Sequence, residues 1–255
     1  MANDIFQIQM VDRYTGKTAG ALAGVVQVCV AGTAHKATLT DPANNFAALA
    51  NPITMANGNI SFAVATGGPG QATPATVDVY GVTAGGRPIV MKGIKPGDPT
   101  EIPFSQNERD LVLIIPFAVA DCTPGTEKDT SFVLPTGTLV KPSTMVSITT
   151  AAGQGSKTIS MGLLSTQSGG SATGFVNGVS LTAIAKVLAT ITGAGATLGA
   201  LLSVVQGAGA QLVPTPALVG ATAINISYTI TSAATLAEGF VMIPVQLDSL
   251  SLANP

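Results

Sequence analysis

The sequence is most unusual in how little charge it carries. It has 11 basic and 13 acidic residues in 255, so that only 9% of the chain is charged, against about 25% in an ordinary soluble domain. A net charge of −2 gives no basic face of the kind that nucleic-acid binding requires, which excludes nucleic acid as a partner. Because the mean hydropathy is +0.48, we expect other protein to cover much of the surface.

Side chains that commonly catalyse reactions are also scarce. There is one histidine, His35, and no nucleophile elbow, so we predict an exposed strand or turn histidine and no Ser-His-Asp triad. Acid pairs for glycoside hydrolysis could be drawn from Glu101, Glu108, Asp110 and Asp121, but any chain with acids offers such pairs, and solvated turn acids are the better interpretation. We therefore predict no catalytic residue and no enzyme activity.

Cofactor and metal motifs are missing too. The Gly-rich residues 66–71 lack the Lys-Ser/Thr of a phosphate loop, and residues 169–178 contain no carboxylate that could hold calcium. The two cysteines, Cys29 and Cys122, have no Cys or His neighbours for a zinc site. We expect both to be free, buried thiols rather than a disulfide, and we expect no cofactor and no metal.

Neither an export signal nor a membrane span is expected. Asp4, Asp12 and Arg13 interrupt the N-terminal sequence where a signal peptide needs an apolar core, which predicts synthesis in the cytoplasm. The 26 uncharged residues from 188 to 213 are long enough to cross a bilayer. They contain five glycines and no flanking basic cluster, so buried strands or a short apolar helix are the better interpretation.

What the sequence does contain is a long series of short alternating segments with Gly and Pro between them. This pattern predicts an all-β fold of two β-sandwich or jelly-roll-like domains, with at most one or two short helices. The segment from Leu164 to Leu181 is predicted to be a loop from its composition. The predicted strands are residues 25–30, 36–40, 59–64, 76–82 and 88–94, then 111–120, 131–140, 144–151, 157–164, 223–231 and 239–247.

Charge and proline divide the chain into two predicted domains. Residues 95–110 collect three prolines and six charges, which is typical of a linker. We predict an N-terminal β domain over residues 1–105 with an extended N-terminal arm, and a C-terminal β-sandwich over residues 106–255. Residues 158–255 hold only three charges, which predicts that the second domain forms the oligomer.

Two strong turn signals stand close together in the N-terminal domain. Asn51-Pro52 favours a chain reversal, because proline fixes its own φ and restricts the residue before it. Asn57-Gly58 is typical of a type I′ hairpin turn. Together they predict a strand, a turn and a strand that pair as a small hairpin.

These residues also carry a resemblance. Residues 36–64 are similar to a segment of tailed-bacteriophage structural proteins, with Asn51, Pro52, Gly58 and Phe62 at the matching positions. Residues 157–181 and 226–247 resemble the β-sandwich domain of phage virion proteins, including capsid decoration (cement) and head-fibre proteins.

The resemblance implies a virion protein on the capsid surface, bound to the major capsid protein as a homo-oligomer, a trimer. Within that reading we expect residues 158–247 to form the trimer contact and residues 1–14 to contact the capsid. Two alternatives remain open: a tail-fibre base, neck or head-vertex component, and a carbohydrate-binding module. The second is weakened because there is no tryptophan for a sugar platform and because Tyr14, Tyr80 and Tyr228 fit core or interface positions.

Overall fold

The computed structural model describes most of the chain and shows it to be almost entirely β-structure. Within the described residues the one helix is a 3-10 turn at Val119–Asp121, so the predicted all-β class is confirmed. The described residues are 3–12, 23–55, 58–65, 76–97, 100–104, 110–141, 143–152, 157–188, 204–205, 212–213, 217–219, 222–231 and 236–247.

The strands are numbered in chain order. The N-terminal strands are β1 (Asn3–Asp12), β2 (Gly24–Val30), β3 (Leu39–Asp41), β4 (Ala47–Leu49), β5 (Ile53–Met55), β6 (Asn59–Ala65), β7 (Val77–Thr83), β8 (Pro88–Ile94) and β9 (Thr100–Phe104). They are followed by β10 (Asp110–Ala118), β11 (Lys128–Leu134), β12 (Leu139–Val140), β13 (Met145–Thr150), β14 (Thr158–Leu163), β15 (Ser171–Ser180), β16 (Ala185–Leu188), β17 (Val204–Val205), β18 (Leu212–Val213), β19 (Ala217–Leu218), β20 (Ile224–Thr231) and β21 (Glu238–Gln246).

The first nine strands form two sheets that enclose one core. Sheet I has the order β4-β3-β6-β1-β9, and sheet II has the order β5-β2-β7-β8. Buried residues from both sheets join in one hydrophobic cluster. At its centre Phe6 and Phe62 are cross-strand partners whose rings stack with centroids 5.1 Å apart, an arrangement that adds to the burial energy of two aromatic side chains.

Most of the remaining strands form a second sandwich, while β17 and β18 pair with each other as a separate two-stranded sheet. Sheet III has the order β16-β13-β21-β12-β19, with β10 pairing along the other edge of β21. Sheet IV has the order β11-β20-β14-β15. Their facing side chains form the larger hydrophobic cluster. Strand β20 shows the alternation that the sequence predicts, because Ile224, Ile226, Tyr228 and Ile230 belong to this core while Asn225, Ser227 and Thr229 occupy the alternate positions.

The expectation of an extended N-terminal arm is wrong for residues 3–12. Strand β1 lies inside sheet I, antiparallel to β6 on one side and parallel to β9 on the other. Phe6 and Ile8 are buried in the first core. The alternation of Ile and Phe with polar residues in this segment is itself a strand signal, and the hydrophobic gain of burying it outweighs the freedom of a solvated arm.

The predicted hairpin at Asn57-Gly58 is also wrong. Asn57 lies outside the described residues, but the strands on either side of it belong to different sheets: β5 pairs with β2, and β6 pairs with β1 and β3. The connection is therefore a crossover from sheet II to sheet I. Gly58 has a φ of 69°, so the glycine does provide a left-handed turn, but the burial of each strand decides its partner.

Asn51 has a structural role in the same region. Its side-chain oxygen accepts a hydrogen bond from the Val28 N–H at 3.1 Å. Its amide nitrogen donates to the carbonyl oxygens of Val28 at 2.7 Å and Ala37 at 2.9 Å. The Asn51-Pro52 peptide bond is cis. The chain bends at Asn51 and Pro52, and the Asn51 side chain connects this bend to the backbone of Val28 and Ala37.

Two segments that the sequence suggests are connections contain strands. Within residues 95–110, strand β9 extends sheet I through its parallel pairing with β1. Within residues 164–181, a turn over residues 164–170 is followed by the ten-residue strand β15, which pairs with β14. Gly and Ser lowered the strand signal of β15, but Phe175, Val176 and Val179 bury its inner face.

The apolar stretch at residues 188–213 lies mostly outside the described residues. Of the helices in the described part of the chain, none is both long and apolar enough to cross a bilayer.

Candidate interaction surface and the joint between the sandwiches

The two sandwiches meet along the second face of sheet II, and we call this contact the joint. All seven residues of β7 are buried. Val77 and Val79 belong to the first core, whereas Val82 belongs to the second. Tyr80 points to the same side as Val82, and its ring contacts the ring of Phe240 of β21 with centroids 5.1 Å apart. Strand β7 is thus covered on both faces.

One ion pair crosses the joint. The Lys36 ammonium lies 3.8 Å from Oδ2 of Asp121, and both side chains are largely buried. Burial lowers the pKa of Lys36 and raises the pKa of Asp121, since desolvation disfavours each charge, while each charge partly offsets the shift of the other. This oxygen of Asp121 accepts no hydrogen bond in the described structure. The cost of desolvating the two charges is therefore not offset by further bonds, and the ion pair fixes the relative position of the two segments more than it stabilises the fold.

Asp78 is a second buried carboxylate at the joint, and its partners are backbone groups. Its two oxygens accept hydrogen bonds from the N–H groups of Gly32 at 2.9 Å and Gly93 at 2.8 Å. The Tyr80 hydroxyl donates to it at 3.4 Å. These bonds tie two turns to β7, which is a structural role rather than a catalytic one.

Both cysteines are free, as the sequence predicts. Cys29 is buried at the joint, where desolvation raises its pKa to about 12. Cys122 is half-buried, and burial raises its pKa as well. Since the thiolate is the reactive form, neither environment activates the sulfur.

We expect these thiols to differ sharply in accessibility. In the native protein at pH 8, Cys29 should react with an aromatic disulfide reagent at least ~1000-fold more slowly than after denaturation, because almost none of it is thiolate and it is buried. Counting thiols released in native and denatured protein measures this directly. A Cys29→Ser variant identifies which thiol reacts, and two fast-reacting thiols in the native protein would contradict the described burial.

The other polar candidates from the sequence do not come together. His35 is exposed at a turn, as predicted, and its backbone N–H donates a hydrogen bond to the Thr33 hydroxyl. Asp121 lies at the joint, and the side chains of Glu101, Glu108 and Asp110 lie outside the described residues. In the part of the chain that the structure describes, His, Cys, Asp and Glu form no group of three that could hold a metal.

A shallow groove of about 320 Å³ opens beside the joint. At its side, Glu127 accepts hydrogen bonds from the Ser165 N–H at 2.9 Å and the Ser227 hydroxyl at 2.5 Å, and it also contacts the Ser165 hydroxyl. These bonds lower the pKa of Glu127, although partial burial acts in the opposite direction. The carboxylate fastens the 164–170 turn to β20. The groove is lined by Ala120, Asp121, Cys122, Thr123, Thr126, Glu127 and Lys128.

The outward faces of the second sandwich differ in chemistry. The outer face of sheet IV is polar, with Thr158 opposite Thr231, Ser160 opposite Thr229, and Gly162 opposite Ser227. Hydroxyl groups of this kind are normal on the solvent side of an antiparallel sheet.

The outer face of sheet III carries a row of apolar side chains. Leu188 of β16, Met145 of β13, Met242 of β21 and Ile114 of β10 are successive cross-strand partners, so they form one row across four strands. We call this the apolar row. Leu188 is 56% exposed, and Val112 beside the row is 46% exposed. A row of cross-strand neighbours, unlike scattered surface residues, is typical of a protein contact.

This face was not predicted, although its signal is present in the sequence. Residues 239–247 and 111–120 were predicted only as ordinary alternating strands. In β21, however, Phe240, Met242 and Pro244 occupy the outward positions while Val241 and Ile243 occupy the inward ones. Tyr80 contacts Phe240 within the chain, so Met242 and Pro244 are the outward residues left for a contact with another protein. A strand that is apolar at both parities is expected where both faces are covered.

Comparisons with known proteins give no family. No protein-family model and no curated protein matches the chain. Among solved structures, the chain is similar to BcpA, the major pilin subunit of Bacillus cereus, with 11% identity and a TM-score of 0.19, over 97% of this chain and 59% of the pilin. It is also similar to infectious bursal disease virus, Gx strain, with 13% identity and a TM-score of 0.23, over 97% of this chain and 56% of that chain. The chain thus spans less than two thirds of either relative, and similarity at these TM-scores assigns no function.

Proposed function

We propose that the chain is a structural protein of a bacteriophage virion that decorates the assembled head as a homo-oligomer, a trimer, bound to the major capsid protein. The observation that carries the proposal is the contrast between the apolar row on the outer face of sheet III and the hydroxyl groups on the outer face of sheet IV. One side of the second sandwich is thus suited to contact with protein and the other to solvent.

The mechanism follows from mass action. A protein that binds the assembled lattice and not its free subunits stabilises the lattice by an amount that grows with affinity and occupancy. Such a protein needs a rigid body that spans subunits rather than a reactive group. The joint supports this role, because β7 is packed in both cores and the ring contact of Tyr80 with Phe240 connects the sandwiches.

The capsid contact needs a surface other than residues 3–12, since β1 is internal to sheet I. The turn between β3 and β4 is the surface that we propose. Asp41 holds it through hydrogen bonds from Ala43, Asn44 and Phe46. Phe46 is 39% exposed and has a φ of 55°, which is an uncommon backbone conformation for a bulky residue. Strain that presents an aromatic ring to solvent favours a binding role.

The test measures the copy number on purified heads. Protein mixed with undecorated heads should saturate them at hundreds of copies, as a lattice of equivalent sites requires. Phe46→Ser should lower the occupancy at a fixed protein concentration by about tenfold, since a central aromatic anchor contributes 1–2 kcal/mol or more. Its mass in solution should stay that of the wild type.

Other outcomes of this experiment separate the alternatives. Saturation at a few to a few dozen copies would assign the chain to a tail, neck or head-vertex position. Failure to bind heads would refute the decoration role. A carbohydrate-binding module receives no support from Tyr80 and Tyr228, because both are buried, as the sequence predicts.

A further inference from the structure

We infer that the outer face of sheet III is the contact between copies of this chain, with strand β16 of one copy lying on the apolar row of the next. The inference rests on the proposed function only in that both require a homo-oligomer. It adds the surface and the orientation of the contact, which are argued from described residues.

The edge strands give the first argument. An open strand edge invites pairing with another chain, and proteins usually interrupt such edges. Strand β11 is bulged around Ser131, whose φ is 63°, and β15 has two register shifts and Gly178 at a φ of 68°. Strand β16, at the end of sheet III, pairs with β13 without a shift. The edge next to the apolar row is thus regular, whereas both edges of sheet IV are interrupted. Because β16 has four residues and carries Lys186, which limits backbone pairing along this edge, we expect it to contact the next copy through its side chains.

Exposed side chains point to the same edge. Ile184, immediately before β16, is 71% exposed, and Leu188 at its end is 56% exposed. Strand β16 therefore has an exposed apolar side chain at each end. Met242 and Ile114 of the apolar row lie two and three strands away from it. Burial of such side chains supplies the driving force for association.

Charge identifies the occupant as a second copy. Residues 158–247 contain two charged residues, Lys186 and Glu238, and both occupy outward positions of sheet III. Lys186 lies on the edge strand β16, whereas Glu238 lies on β21, with β13 between them. A head-to-tail contact brings the lysine of one copy to the glutamate of the next, whose carboxylate also accepts a hydrogen bond from the Thr150 hydroxyl at 2.9 Å, so the β16 patch and the β21 patch are complementary in charge.

A head-to-tail contact joins two different patches, and such contacts form closed rings when the rotation closes. A ring of three agrees with the trimer that the proposed function includes. A contact of the face with its own two-fold copy would instead place Lys186 and Glu238 symmetrically and give a dimer.

The first test replaces the centre of the apolar row. Met242→Glu should raise the dissociation constant of the oligomer on the order of 100-fold, because it places a charge in a desolvated contact. The matched control is Thr229→Glu, which lies at a half-buried outward position on the polar face of sheet IV and should leave the mass unchanged. Sedimentation across a concentration series measures the mass, and circular dichroism on the same samples verifies folding.

The second test addresses the contact between Lys186 and Glu238, while a mass of three chains rather than two distinguishes a head-to-tail ring from a two-fold dimer. At low ionic strength, Lys186→Glu and Glu238→Lys should each weaken association by about 3- to 10-fold, and the double variant should recover most of the loss, since it restores opposite charges in reversed order. Leu188→Ser, at an exposed edge position, provides a second apolar variant that does not depend on tolerance of a charge at residue 242.

Three results would overturn the inference. Unchanged mass for folded Met242→Glu and Leu188→Ser would exclude this face from the oligomer. Loss of head binding with intact mass would assign the face to the capsid protein instead. A wild-type protein that stays a single chain at high concentration would exclude a second copy. Because the mass is measured without heads, failure of the decoration role leaves the test of this contact intact.

Discussion

Deleting residues 2–14 is expected to prevent the first sandwich from folding, rather than to remove a capsid-binding arm. The deletion takes out a strand that pairs on both sides, with β6 and β9. It also removes Phe6 and Ile8 from the core and leaves Phe62 without its stacking partner. The truncated chain should be insoluble or show no cooperative unfolding transition.

A point variant on the same strand gives a quantitative form of this prediction. Phe6→Ala should lower the free energy of unfolding by about 3–5 kcal/mol, the cost of truncating a fully buried aromatic residue. The control is Gln7→Ala, at an exposed position of the same strand, which should stay within about 0.5 kcal/mol of the wild type. Urea denaturation measures both. A truncated protein that unfolds like the wild type but no longer binds heads would restore the arm hypothesis.

Replacing Gly239 by alanine is expected to have the second large effect. Gly239 lies on the inward side of β21, opposite Ile148 of β13 and Phe117 of β10. An added Cβ would overlap the Ser147 carbonyl oxygen and lie 2.9 Å from the Phe117 ring. Because the Ser147 carbonyl is backbone in a central strand pair, it cannot move without disturbing the sheet. We expect Gly239→Ala to lower the free energy of unfolding by about 3 kcal/mol.

Gly85 supplies the control for this substitution. It lies in the exposed turn between β7 and β8, and the nearest atom to an added Cβ is the Thr83 hydroxyl at 3.8 Å. Gly85→Ala should therefore change the free energy of unfolding by less than about 0.5 kcal/mol. Equal stability of the Gly239 and Gly85 variants in urea would show that β13 and β10 do not approach β21 as closely as described.

The sequence predicted the strands whose faces differ in polarity. In residues 223–231 isoleucines alternate with Asn, Ser and Thr, and the structure buries the isoleucines and leaves most of the polar partners outward. Successive side chains of a pleated strand point to opposite faces, so apolar and polar residues alternate along it. Such a strand can therefore be located from its own residues.

Pairing could not be predicted in the same way. The Asn-Gly signal at residue 57 predicts a local reversal, yet β5 and β6 enter different sheets. Which strands pair depends on the burial of both faces of every candidate, and that information is spread over the chain. Strand β9 illustrates the same point, because its only described partner, β1, lies about ninety residues earlier.

The candidate surface was partly accessible from the sequence. The low charge of residues 158–247 predicts contact with other protein, and apolar residues at both parities of β21 indicate which strand lies under that contact. The apolar row itself could not be foreseen, because Leu188, Met145 and Ile114 are aligned only by the register of three strand pairs.

The position of β7 has a consequence for how the protein melts. Val79 is part of one core and Val82 of the other. If either core unfolds, one face of β7 is exposed, and the remaining core loses support from a strand that it needs. The two sandwiches are therefore coupled as one cooperative folding unit, with β7 among the last segments to exchange its amide protons. Such coupling means that neither sandwich is expected to unfold while the other stays folded.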